Sequence, residues 1–379
     1  MIRGGTKWRV MFMFTLIAQL FPYRHTYKQP VRRAFASGVP FKLSDSNYSS
    51  RAIIVLVKPY SKSTQHEVKE IEIPVPWGKV DGIYNFFPAS MIHIINKNFI
   101  LGKLWGSQNK QPILALHGWQ DNAASFDNIA PLIMKNTPVL AIDLPGHGLS
   151  SWLPPGFMYN ELIYFLLVKR IKRYFGWEKI KVMAHSLSAM TIYWYAATFP
   201  TELEYVIALD FFKFVSISTD THTPIFRNAV DAFFKLEEGY IQSSYTQSEI
   251  MKKISTGTYM INLDESSTKI LMTRGVTQKE DGMYIINRDP RMRVIPIHSM
   301  FSSEQVEEYA KFITCPYLII KGDINFYGED QELFYKTLEI MRATNDTVQF
   351  EILSATHHLH LTHPKDTAAI INPFLEKYD

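Results

Sequence analysis

The chain holds a single cysteine, Cys315, in 379 residues. No intramolecular disulfide can form, which excludes a disulfide-stapled fold and favours a reducing or disulfide-free compartment. No Cys/His cluster has zinc-site spacing, and neither a GxGxxG run nor a P-loop occurs. The usual signatures of zinc, dinucleotide and nucleoside-triphosphate binding are therefore missing. There is no internal repeat and no low-complexity linker. The N-terminal apolar stretch, Val10–Phe21, falls short of the ~20 residues that a membrane-spanning helix needs.

The first 44 residues lack acids altogether. They carry Arg3, Lys7, Arg9, Arg24, Lys28, Arg32, Arg33 and Lys42, so the overall charge of +4 is concentrated at this end. Without residues 1–35 the remainder is slightly acidic, which gives no reason to expect nucleic-acid binding. A basic, acid-free start reads as a mitochondrial presequence, and Arg33-Ala34-Phe35-Ala36-Ser37 resembles a matrix-protease site. A secretory or membrane-anchoring signal is the rival reading, since an apolar stretch follows three basic residues. An uncleaved arm on a cytoplasmic or peroxisomal protein is the third.

What is present in abundance is apolar: 46% of residues are hydrophobic and 14% aromatic, enough for a large core. Val68–Val75 alternates like a strand, with Ile100–Trp105 as its hairpin partner. Short apolar runs follow at Ile113–Leu116, Val139–Ile142, Ile180–Met183, Val206–Leu209 and Tyr317–Ile320, the pattern of buried strands. Helical stretches lie between them. Tyr159–Phe175 has Leu162, Phe165, Leu166 and Tyr174 at helical spacing, and Thr191–Phe199 is stopped by Pro200. Alternating strands and helices predict a mostly parallel sheet covered on both faces, with ligands at the strands' carboxyl ends. Residues from about 214 to 310 break the rhythm and predict an inserted cap.

Ala184-His185-Ser186-Leu187-Ser188 follows one buried run and opens a helix. This is the setting of a nucleophile elbow, a sharp strand-to-helix turn that lifts a serine hydroxyl above the sheet. The bland alternative is a serine at an ordinary helix N-cap. His117-Gly118-Trp119 follows another buried run, where such a fold takes one oxyanion donor. The backbone amides of Trp119 and Leu187 are then the candidate oxyanion hole; a glycine turn with a buried histidine is the alternative. Asp143-Leu144-Pro145-Gly146-His147-Gly148 reads as a structural turn in which Asp143 binds backbone amides. Histidines 357, 358, 360 and 363 invite a metal reading, but no partnering carboxylate stands beside them and the spacing matches no standard motif. A late histidine instead fits the chain order Ser…acid…His. The acid has three candidates at or beyond strand ends, Asp210, Asp323 and Asp330.

Together these residues resemble the α/β-hydrolase superfamily, and within it the serine hydrolase-like proteins of animals, the Kraken type. The resemblance rests on IEIPVPWG at Ile71–Gly78, LHGWQDN at Leu116–Asn122, DLPGHGLSS at Asp143–Ser151 and Ser186. It continues at Arg274-Gly275, RDPR at Arg288–Arg291, Cys315-Pro316 and HHLHL at His357–Leu361. It implies an eight-stranded, mostly parallel sheet flanked by helices, an inserted cap and no cofactor. It also implies that His357, seven residues before Pro364, is the base. Residues 68–379 then form the hydrolase domain, with the cap at about 214–310, behind a 36–67 extension.

Three departures stand out. The family elbow reads Gly-His-Ser-x-Gly-Gly, but here Ala184 and Ser188 replace glycines. The usual acid position, three residues after Gly322, holds Asn325, which favours Asp210, with Asp323 as the alternative acid. A hairpin insert at about 80–99 carries Phe86, Phe87, Ile92, Ile94, Ile95 and Phe99, a lid or a membrane contact. The expected activity is hydrolysis of a small-molecule acyl substrate by a Ser186–His357–Asp210 triad. Serine at the elbow argues against haloalkane dehalogenase and epoxide hydrolase chemistry. The rival readings are a binding or scaffold protein that keeps the fold without turnover, and a membrane-surface protein that uses residues 10–21 or 80–99. On the presequence reading, N-terminal sequencing of the native protein starts at Ala36; an intact Met1 overturns it.

Overall fold

The computed structural model describes residues 68–75, 99–107, 109–133, 137–216, 219–257, 263–294, 301–324 and 331–379. The basic segment 1–35, the 36–67 extension, residues 80–98 of the hairpin insert, Asn325 and the candidate acid Asp330 lie outside the described residues. All described residues belong to the compact unit formed by residues 52–379. No helix among them is long and apolar enough to cross a membrane.

Eight strands form one sheet. In chain order they are β1 (Val68–Pro74), β2 (Phe99–Trp105), β3 (Ile113–Leu116), β4 (Val139–Ile142), β5 (Ile180–His185), β6 (Leu203–Leu209), β9 (Tyr317–Gly322) and β10 (Val348–Leu353). The order across the sheet is β1-β2-β4-β3-β5-β6-β9-β10. β2 pairs antiparallel with β1 and β4, and the pairs from β4 through β10 are parallel. Phe99, taken from sequence as the last residue of the insert, is the first residue of β2 and pairs with Pro74.

Alternation explains the layering. Successive residues of a strand face opposite sides, so Leu114 and Leu116 of β3 join one core cluster, and Ile113 and Ala115 join the other. β6 divides in the same way, Val206 and Ala208 against Tyr205, Ile207 and Leu209. Both faces are therefore buried, as a parallel sheet requires. Helices α1 (Glu161–Phe175) and α2 (Leu187–Thr198) cover the first face.

In α1 the apolar residues at helical spacing mark the core face only in part, Phe165 being buried and Tyr174 packed against the core. Its buried face is Tyr164, Phe165, Leu167, Val168 and Ile171, whereas Leu162 and Leu166 are 46% and 41% exposed. The helix has apolar residues on more than one side, and packing against α2 selects the face. The strand β10 was not predicted at all. It is an edge strand with Ile352 exposed and Glu351 in its middle, so it lacks the continuous apolar signal of a central strand.

Between β6 and β9 the chain leaves the sheet. It forms α3 (Thr219–Glu238), α4 (Gln247–Gly257), α5 (Glu265–Gly275), the hairpin β7 (Val276–Gln278) and β8 (Tyr284–Ile286), and α6 (Ser303–Ala310). α7 (Gln331–Thr344) connects β9 to β10, and α8 (Leu359–Thr362) and α9 (Pro364–Tyr378) end the chain.

Asp143 lies just beyond the end of β4 and is fully buried. As the sequence predicted, it binds amides, those of Ala123 at 2.8 Å and Leu149 at 2.9 Å. Gly148 is required there: its φ is +50°, and a Cβ would lie 2.3 Å from the Asp143 carboxyl carbon. The sequence did not reveal the cation. Arg274, at the end of α5, meets Asp143 at 2.8 Å and Glu70 of β1 at 2.7 Å. Removing one partner of a buried pair leaves an uncompensated charge. Arg274→Met is accordingly expected to cost about 3–5 kcal/mol, read from the midpoint of chemical unfolding. Lys279→Met, which breaks an exposed pair with Asp281, should leave that midpoint close to wild type.

Candidate active site

Among the described residues, three non-glycine residues have positive φ: Gln120 at 64°, Ser186 at 53° and Asp210 at 68°. Each follows the carboxyl end of a central strand, β3, β5 or β6 respectively. Strain of this kind costs on the order of 1–3 kcal/mol per residue and collects at functional sites.

Ser186 sits between β5 and α2. A capping serine has extended backbone and its hydroxyl accepts an amide. Ser186 has φ 53°, ψ −116° and no side-chain capping bond. The ordinary N-cap reading is thereby removed, and the turn has the sharp form of an elbow. Ala184 is buried where the family has glycine. Ser188 takes the second glycine position, and its hydroxyl donates to the His117 carbonyl at 2.6 Å. That bond gives the extra side chain a buried partner. Beside the turn, a Cβ at Gly118 would stand 2.9 Å from His185 Nδ1 and 3.1 Å from Ser186 Cβ.

The same loop presents Trp119 directly after Gly118, while Leu187 is the first residue of α2, where amides have no acceptor within the helix. His117 and His147 hold the loop rather than react. His117 Nδ1–H donates to the Gly118 carbonyl at 2.7 Å and its Nε2 accepts the Leu144 amide at 3.0 Å. Burial pushes its pKa down to about 4. His147 Nε2 accepts the Gln120 amide at 3.0 Å. Arg288, which follows β8, donates to the Gln120 carbonyl at 2.8 Å; burial and the neighbouring charge of Arg293 lower its pKa to about 10.

Opposite the elbow, His357 Nδ1 meets Asp210 Oδ2 at 2.5 Å. The other Asp210 oxygen accepts the Gly322 amide at 3.0 Å and lies 3.1 Å from Lys321 Nζ. Burial alone would raise the Asp210 pKa, but the hydrogen bond and charge of His357, then Lys321, hold it below the ordinary carboxylate value. Asp323, the alternative acid, is exposed, and its amide bonds to the Leu353 carbonyl. Of these two acids, Asp210 is the one in contact with His357. Lys321 was missed from sequence because the predicted strand ended at Ile320. A lysine continuing an apolar run, and 1% exposed, was the available signal.

The other histidines gather below. His185, between Ala184 and Ser186, packs its ring 4.5 Å from those of His357 and His360. Its Nε2–H donates to the His357 carbonyl at 2.9 Å. One donor atom each from Asp121, His185 and His360 lies within 4.8 Å of the others. The sequence reading found no carboxylate beside the histidines; the fold brings one from the loop after β3. Burial raises the Asp121 pKa to about 7 and lowers that of His360 to about 3.

A model of the α/β-hydrolase fold matches residues 111–240. A probable serine hydrolase of Drosophila melanogaster is 34% identical over 82% of this chain and 88% of its own length. The chain belongs to the serine hydrolase-like family of α/β hydrolases. The mouse serine hydrolase-like protein is 27% identical over 81% of this chain and 95% of its own. The crystal structure of a hypothetical protein from Pseudomonas aeruginosa matches this α/β hydrolase with a TM-score of 0.64 at 22% identity. It covers 73% of this chain and 96% of that one, a likeness of fold.

A depressed carboxylate pKa adds stability above the unfolded value, about 3.9, and that stability is lost as pH falls through the folded value. Asp210→Asn should therefore lower the melting temperature at pH 7, with the deficit against wild type shrinking below about pH 4. Thermal melts across pH 3–8 check this sign.

Proposed function

We propose that this α/β hydrolase cleaves an ester or related acyl substrate through Ser186, by way of an acyl-enzyme. The supporting observation is a serine held at φ 53° on a strand-to-helix turn of a fold whose carboxyl edge also carries a His357–Asp210 pair. In this reading His357 takes the Ser186 proton, and the serine oxygen attacks the acyl carbon. The amides of Leu187 and Trp119 hold the oxyanion, and the leaving group departs with the proton from His357. Water, deprotonated by His357, then releases the acid and restores Ser186. Asp210 keeps the imidazole in the tautomer that presents Nε2 as acceptor and stabilises its charged form. Lys321 and the Gly322 amide orient that carboxylate in turn.

The altered elbow favours one rival, an α/β-hydrolase fold that binds its ligand without turnover. A fluorophosphonate probe separates the two. The full chain is expected to label, and Ser186→Ala and His357→Ala to abolish labelling, while Asp210→Asn lowers the labelling rate by roughly 10³–10⁴. A folded wild type that stays unlabelled, as judged by circular dichroism, removes the hydrolase reading in favour of the binding protein.

A further inference from the structure

The acyl-transfer reading uses His357 and leaves three buried residues behind it unexplained. His185, Asp121 and His360 are 1%, 3% and 0% exposed. His185 Nδ1, Asp121 Oδ2 and both ring nitrogens of His360 have no hydrogen-bond partner. A buried polar atom left unpaired is costly, and a native fold rarely tolerates several in one place. Here they converge, with one donor atom from each residue within 4.8 Å of the other two.

The remaining atoms of two of these residues are already committed, in the way that outer bonds orient metal ligands. The His185 Nε2–H donates to the His357 carbonyl at 2.9 Å, leaving the Nδ1 lone pair turned to the cluster. Asp121 Oδ1 accepts the Asn122 amide at 2.7 Å, and the Ser125 hydroxyl adjoins the carboxylate, whose Oδ2 has no partner within hydrogen-bond geometry. The nearest cationic candidate, His358 Nε2, stands 3.9 Å from Asp121 Oδ2, beyond hydrogen-bond length. Two imidazoles and one carboxylate suit a borderline transition ion, whereas magnesium and calcium prefer oxygen donors. Ligands about 2.0–2.1 Å from a tetrahedral zinc stand roughly 3.4 Å apart, so small side-chain shifts close the site.

We propose that Asp121, His185 and His360 bind one divalent transition ion, with zinc as the fitting class, directly beneath the nucleophile elbow. The ion joins three segments: the loop after β3, the end of β5 next to Ser186, and the histidine turn that carries His357. Its role is to fix these segments to one another. It stands apart from the acyl chemistry, so the site holds whether or not Ser186 turns over.

The test is metal content. The untagged full chain, isolated without chelator from cells grown with added zinc, should carry about one zinc per chain by plasma mass spectrometry, as three protein ligands imply. Growth in cobalt should give a coloured protein with visible ligand-field bands. His360→Leu and Asp121→Asn should each weaken zinc binding by about 100-fold or more, while His363→Gln, nearby in sequence but outside the cluster, keeps the ion. Thermal melts give a second reading. If the ion is present, His360→Leu melts lower than wild type in zinc. If the atoms are joined by internal water and a protonated Asp121, leucine is neutral or stabilising. Folded wild type without stoichiometric zinc or cobalt overturns the proposal, as does equal zinc in wild type and His360→Leu.

Discussion

One buried carboxylate organises the carboxyl edge of this sheet. Asp210 follows β6, and its two oxygens are taken by neighbours from elsewhere in the chain, His357 on one side and Lys321 with the Gly322 amide on the other. An ion this deeply buried is tolerated only when its lone pairs are matched by charge and hydrogen bonds. The requirement reaches outward. Lys321 must remain in β9 facing Asp210, where its ammonium also donates to the Asp210 carbonyl at 3.0 Å. The histidine turn must present Nδ1 to Asp210.

The strained backbone at Gln120, Ser186 and Asp210 belongs to the same construction. Central strands that are buried on both faces give a rigid base, and three successive strand ends can then hold conformations that a free loop would relax. The loss of the family's elbow glycines is absorbed locally. Ser188 bonds to the His117 carbonyl, and Gly118 leaves room beside His185 and Ser186. With Ala184 and Ser188 in place, the turn at Ser186 has positive φ.

The segment between β6 and β9 is anchored to this edge by polar bonds. Asn122 donates to the Leu271 carbonyl at 3.0 Å, Gln120 donates to the Met292 carbonyl at 2.9 Å, and Arg288 returns a bond to Gln120. The loop that carries Trp119 is therefore held from above by the inserted segment and from below by His117 and His147. It also couples the shape of the insertion to the site, since the same residues meet both.

Much of the fold was legible in the order of residues. Apolar runs bounded by glycine, histidine and aspartate marked the five central strands, because a strand buried on both faces leaves little choice of side chain. The strained turn at Ser186 was readable as a local pattern, and the choice of His357 among the late histidines came from the family resemblance. The full buried face of α1, the edge strand β10, the Asp210–Lys321 contact and the meeting of Asp121 with the histidines were not readable. Each depends on residues far apart in the chain, and periodicity carries no information about which distant group will complete a charge or cover a face. Local sequence determined most of the elements and the sharp turn at Ser186. Sequence favoured Asp210, but tertiary structure decided which acid contacts His357 and what surrounds the other histidines, because desolvation makes the pairing of buried charges a property of the assembled core.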